Sequence, residues 1–325
     1  MPTTGHLHAL AQEIIHCHSQ LALQPDALQR LPNFVEAVSL RAADPALTEA
    51  DTVPLAVMAA CRALDFIEDD ARCIARAWQK QTQRRGQFDA TAWPTLPQDF
   101  GLPPFPRAPA FAPCPQQLGL YAVLPDAAWV GRMAKAGVPT LQLRYKSDDL
   151  AAVHREVQAA VQAVQGTGAL LFINDHWQAA IDVGAYGVHL GQEDLEGLNG
   201  ASLHAIRAAG LRLGLSSHGY AEMLRADSVN PSYIALGAVY ATTLKRMATP
   251  PQGPARLKMY AQLLRDHATV AIGGVDAARL PEVLASGVGS VAVVRALVAA
   301  EQPEAEAANI QRSIAAHLMK ERCLP

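Results

Sequence analysis

Short apolar runs alternate with amphipathic segments along residues 118–294 of this chain. The apolar runs are strand candidates, and the alanine- and leucine-rich segments between most of them have helical spacing. The candidate strands are 118–123, 140–143, 169–173, 187–190, 212–215, 233–236, 269–272 and 290–294. Eight such repeats predict an α/β protein of the (β/α)8 TIM-barrel class, more compact than the ~250 residues typical of that fold. A doubly wound sheet is the alternative, but the repeats contain no glycine-rich dinucleotide fingerprint.

The N-terminal third has a helical pattern instead. Leu7, Leu10 and Ile14 recur at helical spacing, and a long run from Pro54 to Arg85 is predicted as one helix with proline in its first turn and basic residues at its end. The barrel is therefore expected to follow a mostly helical N-terminal region.

A proline-rich segment separates these two parts. Eight of the 22 prolines lie between Trp93 and Pro115, and proline disfavours both helix interiors and central strands. We therefore predict three parts: a helical region of unknown role over 1–92, a semi-rigid linker over 93–115, and the barrel domain over 116–320.

Composition excludes several classes of partner. The chain has 325 residues and a net charge of −3, which gives no electrostatic argument for binding nucleic acid. No apolar run approaches the ~20 residues of a membrane span, and the N-terminus lacks the pattern of a signal peptide. Five scattered cysteines fit a reducing, cytoplasmic setting. Small-molecule substrates are the expected partners, and a homo-oligomer remains open.

In a TIM barrel the residues that leave the C-terminal ends of the strands form the active site. Here those residues are basic, acidic, hydroxyl-bearing or glycine: Gln142, Arg144, Tyr145 and Lys146; Asn174 and Asp175; Gln192 and Asp194; Ser216, Ser217 and His218; Thr242, Thr243 and Lys245; Gly273 and Gly274; and Arg295. The three cations Arg144, Lys146 and Lys245 indicate a polyanion, and a diphosphate fits best. The glycine amides after strand seven are where barrels commonly bind a monophosphate.

Two carboxylates stand out among these residues. Asp175 and Asp194 follow neighbouring strands, so they are expected to converge on one hard cation such as Mg²⁺. Each aspartate alone is equally well explained as a helix N-cap. In the same way, Lys245 alone could be a solvated loop residue and His218 a structural hydrogen-bonding group, so the prediction depends on the convergence of seven strands.

Specific motifs connect this barrel to a known family. Gln142–Lys146 reads Q-x-R-x-K, Asn174-Asp175 is followed by GVHLGQEDL at 187–195, and Ser216 and His218 form S-x-H. Together with the loop 237–245, the I-G-G turn at 272–274 and the last strand, these motifs resemble thiamine-phosphate synthase over residues 117–314.

The resemblance implies a transferase that condenses 4-amino-2-methyl-5-(diphosphooxymethyl)pyrimidine with a thiazole phosphate. The products would be thiamine phosphate and pyrophosphate, formed by a Mg²⁺-assisted dissociative substitution. Transferred by position, Arg144, Lys146, Lys245 and Ser216 would be catalytic. The pyrimidine diphosphate would contact Gln142, Leu143, Arg144, Tyr145, Lys146, Asn174, Ser216 and Lys245. Thiazole phosphate would contact Thr242, Thr243, Leu244, Gly274, Val294 and Arg295, and Asp175 and Asp194 would bind Mg²⁺.

The chain departs from the family pattern on the thiazole side. Ala238 and Ala241 replace two prolines, Leu244 replaces a threonine, and Arg295 replaces a serine. Arg295 could supply a charge-assisted hydrogen bond in place of the lost hydroxyl.

Two other functions are weighed against the synthase. Thiazole tautomerases have the same barrel but lack the N-D aspartate and the G-Q-E-D block, and this chain has both. A non-catalytic thiamine-phosphate sensor would use the helical region as its output.

The segment from Ala50 to the linker also resembles the C-terminal helices of hydroxymethylpyrimidine-phosphate kinases. About 90 residues cannot supply the central sheet of such a kinase, so a remnant of one is expected to have no kinase activity.

Overall fold

Eight parallel strands follow one another around a closed barrel in the computed structural model of this chain, which describes residues 4–31, 49–242 and 249–322. The strands are β1 (Gly119–Leu124), β2 (Thr140–Leu143), β3 (Leu170–Asn174), β4 (Gly187–Leu190), β5 (Arg212–Ser217), β6 (Tyr233–Leu236), β7 (Thr269–Ala271) and β8 (Ser290–Val293). Ala122 of β1 pairs with Leu141 of β2 on one side and with Val293 of β8 on the other, which closes the barrel.

The predicted (β/α)8 barrel is confirmed, and all eight predicted strands are present with ends that differ from the predicted ones by at most two residues. Their sequences are almost continuously apolar because parallel strands in a barrel are covered on both faces. Every residue of β2, β4, β6 and β8 is buried.

Helices follow the strands around the outside of the barrel. They are α5 (Ala127–Lys135), α6 (Leu150–Ala163), α7 (Trp177–Asp182), α8 (Gln192–Gly197), α9 (Gly200–Ala208), α10 (Tyr220–Ser228), α11 (Gly253–Leu263), α12 (Leu280–Leu284), α13 (Arg295–Val298) and α14 (Pro303–Arg322). Local sequence sets where several of them begin. The side chains of Asp126, Asp149 and Asn199 accept hydrogen bonds from backbone N–H groups in the first turns of α5, α6 and α9.

Aromatic side chains fill the barrel interior. Tyr121, Phe172 and Tyr233 pack against one another with ring centroids 5.1 to 5.9 Å apart. Smaller side chains such as Val270 and Ala292 complete this cluster. The barrel interior at the level of these rings is therefore a packed core.

The chain divides into two compact units, one of residues 1–104 with 219–224 and one of residues 105–218 with 225–325. The first unit contains α1 (Thr4–Cys17), α2 (Glu49–Ala63), α3 (Glu68–Arg85) and α4 (Pro97–Phe100), with 3-10 turns at Ser19–Leu21 and Ala27–Arg30. The helical character predicted for this region is confirmed in its described part. Its core includes Trp78, which is fully buried and packs edge-on against Trp93.

The single helix predicted from Pro54 to Arg85 is wrong. Pro54 lies inside α2, and the run is interrupted between α2 and α3. Asp65 has a left-handed backbone (φ 68°), and the Phe66 N–H bonds back to the Cys61 carbonyl. This arrangement ends α2 in the way that glycine usually ends helices.

Residues 105–115 of the proline-rich segment make defined contacts inside the second unit. The guanidinium of Arg107 donates to the carboxylate of Asp227 at 2.7 and 3.2 Å and to its carbonyl at 2.6 Å. His267 Nε2 lies 2.9 Å from the same carboxylate, and Phe105 stacks on the His267 ring.

Within the described ranges, no helix combines the length and the hydrophobicity that a transmembrane span requires.

Candidate active site

A cavity of about 580 Å³ opens where the barrel strands end. Residues at the C-terminal end of a strand or in the loop after it contribute to its wall from all eight strands. Of the residues predicted from sequence, Gln142, Arg144, Lys146, Asn174, Asp175, Asp194, Ser216, Thr242, Gly274, Val294 and Arg295 line it. The expected convergence of these groups on one mouth is therefore seen in the structure.

Three of the predicted residues, Leu143, Tyr145 and Gln192, are not in that lining. Leu143 is buried in β2 and points away from Gln142, because side chains alternate along a strand. Tyr145 lies between two lining residues, Arg144 and Lys146, and does not line the cavity either. Thr243, Leu244 and Lys245 lie outside the described residues.

Polar groups at the ends of β2 and β3 are fixed by a hydrogen bond between two side chains. The Gln142 amide donates to Asn174 Oδ1 at 2.7 Å, and both residues are buried. Arg144 extends β2 by one residue, because its N–H donates to the Leu124 carbonyl. This backbone bond places the half-buried Arg144 side chain at the mouth.

The two predicted metal ligands lie next to each other on this side of the cavity. Asp175 has a left-handed backbone (φ 64°), and its N–H still donates to the His189 carbonyl. Its Oδ2 lies 2.6 Å from Lys146 Nζ. The carboxylate of Asp194 accepts the Gly191 N–H at 2.9 Å.

The charges of these two carboxylates repel each other. The pKa of Asp194 is raised, first because the surrounding protein removes water from its carboxyl group and also because Asp175 is close. Like charges held together in this way favour a bound cation. Among the described residues, no third His, Cys, Asp or Glu joins the pair to form a complete metal cluster. Two carboxylates are nevertheless a sufficient protein contribution for Mg²⁺, which usually keeps waters or substrate phosphates as its other ligands.

Glycines shape the opposite side of the cavity. Gly273 and Gly274 have positive φ angles of 102° and 65°. A Cβ at position 274 would lie 2.7 Å from the Ala241 carbonyl oxygen, and one at 273 would lie 2.5 Å from the Ala238 Cβ. Only glycine fits both the backbone and the space. Arg295, the first residue of α13, is exposed beside this turn and lines the same cavity.

Arg279 is a lining residue that the sequence analysis missed. Its guanidinium donates to the Gly274 carbonyl at 2.6 Å and lies 4.7 Å from the centre of the Tyr240 ring. Tyr240 in turn donates to Glu282 at 2.7 Å. Arg279 thus connects the turn after β7 to the loop after β6. No sequence signal marked it, because it lies five residues beyond the glycine turn.

His189 was also missed as an individual site residue, although it lies inside a recognised motif. It is buried within β4 and lines the cavity. Its Nε2 lies 2.9 Å from Ser216 Oγ and its Nδ1 lies 2.7 Å from the Tyr233 hydroxyl. A polar residue inside the apolar run of a central strand is the signal that could have identified it.

Comparison with known proteins gives consistent results. The profile of the thiamine monophosphate synthase family matches residues 120–297. A thiamine-phosphate synthase of Neisseria gonorrhoeae is 53% identical over 195 residues, which cover 60% of this chain and 94% of that protein. One of Photorhabdus laumondii is 50% identical over 196 residues, covering 60% and 89%. Among solved structures, a thiamine phosphate pyrophosphorylase of Pyrococcus furiosus has a TM-score of 0.55 at 25% identity and matches 62% of this chain and 97% of that one.

Proposed function

The chain belongs to the thiamine monophosphate synthase family, and we propose which of its residues perform each part of the condensation. The barrel joins 4-amino-2-methyl-5-(diphosphooxymethyl)pyrimidine to a thiazole phosphate, and thiamine phosphate and pyrophosphate leave. The observation that supports the assignment is the arrangement of the mouth. Cations and paired carboxylates lie at the ends of β2, β3 and β4, and the glycine turn lies across the cavity after β7.

The pyrimidine diphosphate occupies the side of Arg144 and Lys146. Breaking the bond between its methylene carbon and the diphosphate oxygen moves negative charge onto the leaving group. Arg144 and Lys146 line this side of the cavity and would stabilise that charge. Electrostatic stabilisation of this kind is often the largest contribution to catalysis. Lys245 adds a third cation in this proposal. The buried pair Gln142 and Asn174 offers amide groups for the pyrimidine ring.

Asp175 and Asp194 would hold Mg²⁺. When bound, the ion supplies a positive charge for the diphosphate oxygens. Lys146 Nζ is already 2.6 Å from Asp175 Oδ2, so this ion pair orients the carboxylate when no substrate is present.

Thiazole phosphate would bind across the mouth. Its phosphate would contact the backbone at Gly274, the Arg295 guanidinium and Thr242, with Thr243, Leu244 and Val294 nearby. The thiazole nitrogen then attacks the methylene carbon of the pyrimidine, which carries the positive charge after the diphosphate has left. The electron-rich aminopyrimidine stabilises that charge, so this route needs no protein nucleophile.

Pyrophosphate release with purified full-length protein tests the function. We expect steady-state release only when both substrates and Mg²⁺ are present. Turnover of a thiazole carboxylate phosphate in the absence of the pyrimidine substrate would instead indicate a tautomerase. Stoichiometric binding of thiamine phosphate without any pyrophosphate release would indicate a sensor.

A further inference from the structure

Four side chains form a hydrogen-bonded line from the barrel core to the active-site mouth. The Tyr121 and Tyr233 hydroxyls lie 2.8 Å apart, and the Tyr233 hydroxyl lies 2.7 Å from His189 Nδ1. His189 Nε2 lies 2.9 Å from Ser216 Oγ. Both tyrosines are almost completely buried, whereas Ser216 is half-buried and lines the cavity.

The strand register brings His189 and Tyr233 together across an intervening strand. His189 pairs with Gly214 of β5, and Gly214 pairs with Tyr233 of β6. A Cβ on Gly214 would lie 2.1 Å from the Tyr233 ring and 2.4 Å from its hydroxyl oxygen. Because Gly214 has no side chain, the Tyr233 ring can cross β5 at this position and reach His189.

The hydroxyl groups are not needed for packing. Tyr121 and Tyr233 lie in an aromatic cluster with Phe172, where phenylalanine would fill nearly the same space. Burying a hydroxyl in such surroundings is unfavourable unless it is hydrogen-bonded. Their alignment with a histidine and a serine at the mouth thus points to a role in the site.

The four side chains can donate hydrogen bonds along this line in one of two directions, and one direction gives every proton an acceptor. Burial raises the pKa of both phenols far above the usual value, so both keep their protons. If Tyr121 donates to Tyr233 and Tyr233 donates to His189 Nδ1, both are satisfied. In the opposite direction the Tyr121 proton would have no acceptor among the residues that the structure describes.

We propose that this line holds His189 as the neutral tautomer protonated at Nε2, so that Ser216 is a hydrogen-bond donor to the pyrimidine substrate. His189 Nε2–H then donates to Ser216 Oγ, and the serine hydroxyl directs its own proton into the cavity. With the other tautomer, Ser216 would donate to His189 and would offer the substrate only lone pairs. Tyr121, Tyr233 and His189 are positioning residues that act through Ser216. The assignment of the acceptor to the pyrimidine rests on the proposed function.

The tautomer can be measured without turnover. We would label the eleven histidines with ¹⁵N in the full-length protein and assign His189 by comparison with His189→Gln. Nitrogen–proton correlation spectra at neutral pH are expected to show a protonated Nε2 and an unprotonated Nδ1. In Tyr233→Phe the Nδ1 signal should shift, because its donor is gone. A protonated Nδ1 in the wild-type protein would overturn the proposal, even if the enzyme is fully active.

A double-mutant cycle then tests the link to the substrate. Ser216→Ala and Tyr233→Phe should each lower kcat/KM for the pyrimidine diphosphate about tenfold, the scale of one lost hydrogen bond. KM for thiazole phosphate should stay within about twofold, because only the pyrimidine loses a contact. The double variant should be no worse than Ser216→Ala, since Tyr233 acts through that serine.

Tyr186→Phe is the matched control. Tyr186 packs against the same aromatic cluster but takes no part in the line, so its loss of a hydroxyl should leave kinetics unchanged. If losses in Ser216→Ala and Tyr233→Phe multiply, Tyr233 stabilises the barrel without orienting Ser216, and the proposal is wrong.

Discussion

Lys146 Nζ lies 2.6 Å from Asp175 Oδ2 at the barrel mouth. The cation proposed to contact the leaving diphosphate is therefore held by a carboxylate proposed to bind Mg²⁺. In this proposal the substrate, the metal and the lysine meet at one carboxylate, so removal of its charge should affect both Lys146 and the metal. The carboxylate of Asp194 accepts a backbone hydrogen bond from the Gly191 N–H at 2.9 Å.

This arrangement leads to a prediction about the metal requirement. Asp175→Asn and Asp194→Asn keep the side-chain shape but remove one charge each. Both should raise the Mg²⁺ concentration for half-maximal pyrophosphate release by about tenfold or more, because ligand charge determines the affinity for a hard cation. Circular dichroism spectra should be unchanged. Asp182→Asn, at the exposed end of α7, is the control. A wild-type Mg²⁺ requirement in both site variants would contradict the metal assignment.

The strands and the convergence of the site were predictable because they depend on short-range patterns. A parallel strand buried on both faces is apolar along its whole length, and polar residues begin where burial ends. Asn174 is the last residue of β3, and Asp175 follows it. Their meeting with groups from other strands then follows from the barrel topology alone.

The missed features depend on tertiary contacts. Asp65 ends α2 in a left-handed conformation, and its carboxylate accepts the N–H groups of Leu23 and Gln24 from a distant segment. No local pattern records those partners. Arg279 likewise matters through the Gly274 carbonyl and the Tyr240 ring, which only the folded loops bring beside it.

Arg279 should position the phosphate cradle. Arg279→Gln removes the charge over the Tyr240 ring and weakens the bond to the Gly274 carbonyl. We expect KM for thiazole phosphate to rise about fivefold, since a charged hydrogen bond and an exposed cation–π contact are both modest. KM for the pyrimidine diphosphate should not change. Arg155→Gln removes an exposed arginine from α6 and serves as the control. Equal effects on both substrates would indicate general loosening of the barrel instead.

The buried carboxylate of Asp227 should contribute to stability in a pH-dependent way. Burial acts to raise its pKa, but hydrogen bonds from His267 and Arg107 outweigh burial and lower it. A lowered folded-state pKa gives stability that is present above the unfolded value, ~3.9 for aspartate. That stability is lost as the pH falls through the folded value.

Asp227→Asn tests this contribution. At pH 7 the free energy of unfolding should fall by about 3 kcal/mol, because the variant leaves Arg107 without its buried partner. The difference from wild type should be constant between about pH 5 and 7 and shrink below about pH 4. Denaturant unfolding followed by circular dichroism measures both. Asp266→Asn, an exposed neighbour of His267, should have little effect. A difference that is the same at acid and neutral pH would exclude the ionic explanation.

Arg295 is the position where this chain departs most informatively from its family. It follows β8, where the family pattern has serine, and it lines the cavity beside Gly273 and Gly274. A guanidinium can form a bidentate pair with phosphate, which a serine hydroxyl cannot reproduce. Leu244 offers no hydroxyl in compensation, so Arg295 should provide much of the binding energy for the thiazole phosphate.

Arg295→Ser restores the family residue but leaves the site short of donors. A charged hydrogen bond contributes ~1.5–3 kcal/mol, so KM for thiazole phosphate should rise about tenfold or more. KM for the pyrimidine diphosphate should barely change, because its phosphates are proposed to bind across the mouth near Asp175. Adding Leu244→Thr to Arg295→Ser should recover part of the loss by returning the family's hydroxyl.

Arg295→Lys tests whether the charge or the planar shape of the guanidinium matters. It keeps the positive charge without the planar fork and should show an intermediate KM for thiazole phosphate. If Arg295→Ser binds thiazole phosphate as tightly as wild type, the guanidinium faces solvent during turnover and does not belong to the phosphate site.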